Sequence, residues 1–462
     1  MAEKDLSTDE EVGNDSPPQK FPVKWYRSTF YNALILGMCN FLAPGIWGAM
    51  NSLGGGGAAE PYVVNTANAL TFCLMVLSCF FGSVVVRFIG IKWTLIIGTM
   101  GYAPYAAGIY TQVRYDSNWL TLFGAALCGL SAGIFWMAES AIALAYPEPE
   151  NQGKFLGFWL SFRVGGQIVG GAINLGVNIN RSTAGSVSYV VYYIFIALQV
   201  LGPFCGLLLS PPAKVQRTDG VPVKLAIVHD TWYEIKAMAR LLVSRNFLLI
   251  TPLIWQATFA EAVFFTYNSM WFSVRSRALG SFVSGIMAIV AGNLLGAFLD
   301  SKLALKLRSR AGFALILALQ GAWWLWGTII VTDFHSRETS PTFDWEDPGF
   351  GRGFPLYLFW VVGFQLNYMF LYFIVGNLAR DEEEVVRFAS LLRGMESASQ
   401  AVSYGLSSVS IMASVGSIYM NFGLWAIALY PAWLVIREIG VSLGDKKVER
   451  ERERERRVAV EN

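Results

Sequence analysis

Five ionisable side chains, Glu139, Arg163, Glu261, Arg393 and Glu396, lie inside stretches otherwise built from apolar residues. Near the centre of a bilayer such a group costs about 2.5–3.5 kcal/mol on insertion scales, so each needs a partner or an aqueous cavity. Glu139 stands near the inner end of its apolar stretch and Arg163 near the start of the next, roughly 10 and 13 Å deep at ~1.5 Å per residue. A pair between them across two helices is expected. Arg393 and Glu396 are spaced i, i+3 and can pair within one helix. Either pair reads as a static bridge or as one that breaks and re-forms in function. Glu261 differs: no basic residue lies within two turns, and it shares a helix face with Thr258, Phe265 and Asn268. An unpaired carboxylate in a half-dry cavity is a candidate proton carrier or cation ligand.

Further polar and aromatic candidates for such a cavity are Asn32, Asn40, Trp136, Gln365, Tyr368 and Tyr372, the last three on one helical face. Aromatics with scattered amides suit a mid-sized, partly apolar solute or a cation. The plainer alternative is interhelical glue. No nucleophile–base or metal constellation is visible. The two histidines, His229 and His335, stand alone, and no cofactor is expected.

The elements that must position these groups follow from composition. Of 462 residues 54% are hydrophobic and 15% charged, too apolar for a soluble globule of this size. A bilayer core about 30 Å thick takes about 20 residues per helix. Twelve candidate spans follow, near 28–50, 64–86, 93–111, 119–146, 155–179, 188–209, 248–271, 280–300, 312–332, 355–378, 386–411 and 415–437. The runs are long and lack strict alternation, which excludes a barrel. The expected class is therefore an all-α integral membrane protein of twelve spans, with the lipid bilayer as its principal partner.

Five domains are expected: a tail 1–27, a six-helix bundle 28–209, a linker 210–247, a second bundle 248–437 and a charged tail 438–462. Taking the N-terminus as inside, 27 of the 35 Lys and Arg fall on that side and 6 on the other. By the positive-inside rule both termini are cytoplasmic, in the plasma membrane or an internal one. The net charge of +2 is spread over many short loops and gives no reason to expect nucleic acid. Residues 1–20 lack an apolar core for a cleavable signal and read as disordered. All five cysteines fall in spans, so a disulfide framework is not expected. Asn180-Arg181-Ser182 is a glycosylation sequon at the end of the fifth span. The glycine run Gly54–Gly57 lacks the context of a phosphate loop and reads as a flexible outer turn. In the linker Thr231-x-x-Glu234 reads as a capping box, with Trp232, Ile235, Ala239 and Leu242 on one stripe of a helix lying on the membrane surface.

Two stretches repeat. Lys154-Phe155 reaching Gln167-Ile168-Val169 matches Arg387-Phe388 reaching Gln400-Ala401-Val402, 233 residues later. In this register Gly165-Gly166 match Ala398-Ser399, and Arg163 falls on Glu396. Such a duplication marks parallel repeats about an axis along the membrane normal. The fifth and eleventh spans are not expected to touch, so the repeat reads as architecture more than as chemistry.

Longer runs carry a family resemblance. Gly82-Ser-Val-Val-Val86-Arg87-Phe-Ile-Gly90-Ile-Lys92 and Gly296-Ala-Phe-Leu-Asp300-Ser-Lys302 resemble the gating loops of the major facilitator superfamily, although the first lacks the acid. Thr94 to Gly108, Gly129 to Glu139, Tyr146 to Phe155 and Trp271 to Leu279 resemble its Unc-ninety-three-like branch in fungal form. The resemblance spans about 25–437 and implies two pseudo-symmetric six-helix bundles. Relatives of that kind tend to carry Gln where this chain has Glu139. In this fold the first, fourth, seventh and tenth helices line a central cavity, which would bring Glu261 and Glu139 there. A transporter of a small solute or ion, working by alternating access with proton coupling, is the implied function. The alternative is a regulator of an ion channel, or an escort for another membrane protein.

Overall fold

The computed structural model describes residues 21–147, 152–218, 220, 222–223, 231–338, 340–380 and 382–443. The first 20 residues, His229, the Glu–Arg alternation at 449–457 and the side chains of Thr231 and Glu234 lie outside the described residues. The expected tail disorder, tail charge pattern and capping box therefore fall there too. Among the described residues no strand forms, only isolated bridges. This is what a bilayer demands, since a helix satisfies its own backbone and an open sheet edge does not.

Among the described residues twelve long helical rods follow one another, with a shorter linker helix between the sixth and the seventh. In the first half they are α1 (Thr29–Asn51), α2 (Tyr62–Ile89), α3 (Ile91–Met100 continued by Tyr102–Tyr115), α4 (Trp119–Ala145), α5 (Gln152–Asn178) and α6 (Tyr189–Leu207). In the second half they are α7 (Arg245–Trp271), α8 (Val274–Leu299), α9 (Leu305–His335), α10 (Phe350–Leu378), α11 (Glu382–Ser407) and α12 (Met412–Ile436). Nine of these are long and apolar enough to cross a membrane by length and composition, judged on the described residues. The other three are α3, broken at Gly101, and the repeat pair α5 and α11. That last pair carries Arg163, Arg393 and Glu396, three of the five intramembrane charges.

The halves meet through two equivalent contacts, α2 against α11 and α8 against α5. Within each half the repeat packs the same way by different means. On α5, Gly166 sits against Gly45 and the Phe41 carbonyl of α1, and Gly170 against Ala49. On α11 the matching residues are serines: Ser399 and Ser403 donate to the carbonyls of Trp255 (2.9 Å) and Phe259 (2.6 Å) on α7. Small side chains allow the close approach, and hydroxyls add a bond that lipid cannot offer. Pro44 removes a donor within α1, which widens to a π turn over Phe41–Gly45. A buried amide knot ties α7, α9 and α10. Gln256 donates to Gln320 (3.0 Å), Asn367 donates to both (3.2 and 3.0 Å), and Gln320 donates to the Gly363 carbonyl (3.3 Å).

Hydrogen bonds across the halves concentrate at the far end of the bundle, remote from the start of α1. Tyr357 and Asn268 both donate to the Ser52 carbonyl (2.9 and 3.0 Å). Asn65 donates to Thr266 (3.0 Å) and to the Ser407 carbonyl (2.9 Å). Arg277 is 1% exposed and donates to four backbone carbonyls of the first half, Leu53 (2.6 Å), Gly54 (2.7 Å), Ala58 (3.0 Å) and Gly185 (3.1 Å). One acceptor, Gly54, belongs to the glycine run, and Leu53 and Ala58 flank it; all four glycines of the run take positive φ, from 50° to 85°. Only glycine enters that region freely. The expectation of a flexible turn is thus corrected: these glycines are buried and bend the chain so that its carbonyls converge on one guanidinium. Arg277 belongs to the first turn of α8.

Beside this latch Arg275 pairs with Asp344 and, at 3.0 Å, with Glu346, and its guanidinium stands 4.5 Å from the Trp345 ring centroid. Hydrogen bonds from Arg275 hold the Asp344 carboxyl down at about 2. At the opposite end the linker helix Thr231–Leu242 turns Met238, Leu241 and Leu242 toward the second half's core. Trp232 and Ile235, from the expected stripe, stay exposed.

Candidate functional site

A cavity of about 600 Å³ of atom-free space, part of it open to solvent, lies between the halves. It draws residues from α1, α2, α3, α4 and α5 on one side and from α7, α10 and α11 on the other. Glu261, Arg163, Arg393, Glu396, Trp136 and Tyr368 all line it. Four of the five intramembrane charges thus share one space, because α5 and α11 both turn their polar faces inward.

The repeat acquires a chemical meaning here. Arg163 and Glu396, matched in register, both line the cavity, as do the matched glutamines Gln167 and Gln400. Arg393 pairs with Glu396 at 2.9 Å as the i, i+3 spacing leads one to expect. The Arg393 guanidinium also stands 4.1 Å from the centroid of Trp136, across the interface on α4. Arg163 lies over two rings, Trp136 at 5.2 Å and Tyr368 at 5.5 Å. Trp136 therefore meets both cations, an arrangement suited to planar, weakly hydrated guanidinium groups.

The pair expected between Glu139 and Arg163 is corrected. Glu139 is fully buried behind the cavity wall and accepts a hydrogen bond from the Trp159 indole of α5. It makes no ion pair among the described residues, and the cavity lining does not include it. Glu261 does line the cavity and accepts from Gln400 at 2.6 Å. Its second neighbour on α11 is Tyr404, which stacks on Phe72 of α2 with centroids 5.5 Å apart.

The remaining candidates divide between cavity and scaffold. Asn32 is a staple at the near end: it donates to the Ser28 carbonyl (2.8 Å) and accepts from the Ser210 amide (2.9 Å). Asn268 belongs to the far-end contacts. Asn40 is buried on α1 with neither side-chain atom hydrogen-bonded among the described residues. Gln365 turns toward Gly292 on α8. Tyr372 hydrogen-bonds with Tyr368 at 3.4 Å but stands outside the cavity lining.

The two loops that resemble gating motifs are capped in different ways. Gly90 ends α2 at φ 77°, and Lys92 donates to the Leu207 carbonyl of α6 at 2.7 Å. Gly82 packs on Met137, and Arg87 is exposed. In the second half Gly296 approaches Met369 and Asp300 closes α8, with Lys302 just beyond. Here the cation over the turn is Arg308, which donates to the carbonyls of Leu299 (2.6 Å) and Ser301 (3.0 Å).

Arg277 and the glycine loop it binds are the contact between the halves that residue-by-residue reasoning missed. The signals were present, in the run Trp271 to Leu279 and in four consecutive glycines, but 219 or more residues separate donor from the first-half loop.

Comparison with known proteins agrees with this geometry. The chain is similar to D-xylose-proton symporter, with TM-score 0.61 at 13% identity, covering 88% of this chain and 97% of that one. It therefore has the major facilitator fold, and α1–α6 and α7–α12 are its two six-helix bundles. It is 41% identical over 423 residues to "Notoamide biosynthesis cluster protein O'" of Aspergillus versicolor, covering 91% of this chain and 92% of the relative. It is 26% identical to "UNC93-like protein 1" of Arabidopsis thaliana, covering 92% of each. The family model described as "Ion channel regulatory protein UNC-93" matches residues 58–319. The chain belongs to the UNC-93 family.

Proposed function

We propose that the protein is a secondary transporter that carries a small solute by alternating access, with Glu261 as the group that takes up and releases the coupling proton. One observation carries the proposal: a carboxylate with no ion pair among the described residues lines a cavity shared by both halves. A regulator needs no such accessible titratable group. Gating would be a rocking of the halves about the α2–α11 and α5–α8 contacts. With the N-terminus on the cytoplasmic side, as the charge asymmetry implies, the Arg277 latch would close the outer end. The Aspergillus relative is named for a biosynthesis cluster, a setting that suits a carrier for a small metabolite.

The test is reconstitution in liposomes with a pH-sensitive dye inside, beside Glu261→Gln. Solute-driven proton movement in the wild type, lost in the variant, is the expected result. Movement unaltered by the substitution would remove Glu261 from the coupling role. The second reading, regulation of an ion channel, is favoured by the description of the matching family model. It predicts no solute-driven movement with any member of a broad panel, together with a changed current when a partner channel is co-expressed.

A further inference from the structure

We propose that Arg163 is the docking group for a monoanionic solute, a carboxylate or comparable acid on a small apolar or aromatic body, and that the anion binds together with a proton on Glu261. The proposal rests on the transporter reading of the same cavity and adds the substrate class.

Two observations carry it. The first is that Arg163 is a cation without a counter-ion. It lines the cavity, has no ion pair, and none of its N–H groups is hydrogen-bonded among the described residues; its contacts are the faces of Trp136 and Tyr368. A guanidinium held over two rings keeps its N–H edges free, and those edges match a carboxylate in bidentate geometry. A solute cation is disfavoured, because the Trp136 face that would receive it already serves Arg163 and Arg393.

The second observation is the charge balance of the lining. Arg393 and Glu396 neutralise each other at 2.9 Å on one helix. What remains is Arg163 from the first half and Glu261 from the second, not in contact. With Glu261 ionised the lining is neutral; with Glu261 protonated it carries one net positive charge, which a monoanion cancels. An uncompensated charge in a poorly hydrated cavity is costly, so proton and anion each favour the binding of the other.

The groups that bear on Glu261 are Arg163 on α5 and Gln400, Arg393, Glu396 and Tyr404 on α11. Those that bear on Arg163 are Glu261, Glu396, Tyr102 on α3 and Glu139 on α4. Of these carboxylates, Glu396 is already paired and Glu139 is engaged by Trp159 behind the wall. Glu261 is thus left as the lining carboxylate whose charge can answer that of Arg163.

The experiment measures binding rather than transport. The purified protein in detergent and weak buffer is titrated with benzoate, indole-3-carboxylate and hexanoate, beside benzamide and benzylamine, with heat and proton uptake recorded. Expected are binding of at least one carboxylate but not of the amide or amine, uptake of a proton with each anion bound, and affinity that weakens about tenfold per pH unit once Glu261 is ionised. Arg163→Gln lowers the anion affinity about tenfold or more, and Arg163→Lys retains part of it. Glu261→Gln binds the anion with pH-independent affinity and no proton uptake. The proposal is overturned if no carboxylate binds, if the amide or amine binds as well, if wild-type affinity is flat with pH, or if folded Arg163→Gln binds as the wild type does. Anion binding without solute-driven transport would retain the proposal and sink the transporter reading; proton-driven transport of an uncharged solute would do the reverse.

Discussion

Replacing Arg277 by methionine keeps an unbranched apolar stem and removes every donor from the far-end cradle. Four carbonyls, those of Leu53, Gly54, Ala58 and Gly185, then lose their partner in a buried site. Hydrogen bonds to a charged group contribute roughly 1.5–3 kcal/mol each, but burial of the cation opposes them, so their sum overstates the effect. A buried acceptor left without its donor costs about 1–3 kcal/mol, so the loss over these carbonyls is about 3 kcal/mol or more. That loss falls on the closed state, since the open loop is hydrated in wild type and variant alike. At the lower bound of about 3 kcal/mol the far end opens on the order of a hundredfold more often. Hydrogen exchange reads this directly at the amides of Gly57 and Ala58, which donate to Gly54 (3.0 Å) and Gly55 (2.9 Å). In nanodiscs, Arg277→Met should speed exchange in peptides covering residues 52–60 by on the order of a hundredfold and leave α6 unchanged. Arg277→Lys, a compact ammonium unable to span four acceptors, should fall between. Unchanged exchange in a folded Arg277→Met protein, or an equal rise throughout the molecule, would refute the latch.

Other expectations follow from the same geometry. Gly57→Ala places a Cβ at φ 85° and within 2.8 Å of Val187, so it should lower the melting temperature through a strain of about 1–3 kcal/mol. Asp344 is held at about 2 by Arg275, below its unfolded value. It therefore contributes stability above pH ~4 that is lost as pH falls toward 2; Asp344→Asn should be less stable at neutral pH and lack that acid limb in unfolding titrations. Glu139→Gln keeps an acceptor for Trp159 and should leave the pH profile of proton movement in place, whereas Glu139→Leu leaves the indole unpaired and should destabilise by about 1–3 kcal/mol. A shifted profile in Glu139→Gln would return that residue to the coupling machinery.

The twelve rods were legible because a bilayer imposes one length and one pattern on each. Their ends were less so: α9 runs from Leu305 to His335, well past the apolar stretch at 312–332, because Lys306, Arg308 and Arg310 continue the helix where the side chains can reach water. Spacing foretold the Arg393–Glu396 bridge, which needs only one helix. The expected Glu139–Arg163 pair failed because depth along two helices says nothing of rotation about their axes. Trp159 took the carboxylate, and Arg163 turned to the rings. The duplicated helix pointed to the two-half scaffold, yet its polar residues proved to share a cavity, since symmetry about a central axis brings equivalent faces together even where the helices themselves stay apart.

The amide knot of Gln256, Gln320 and Asn367 has no ionisable member, so acidification cannot loosen it. Helices α7, α9 and α10 are bound by parts that look the same to a proton gradient at every point of a cycle. In the proposed transport cycle a drop in pH would thus re-seat one half upon the other without softening the inside of the half that carries Glu261. The amides keep the block's shape whatever the charge on the carboxylate at its edge.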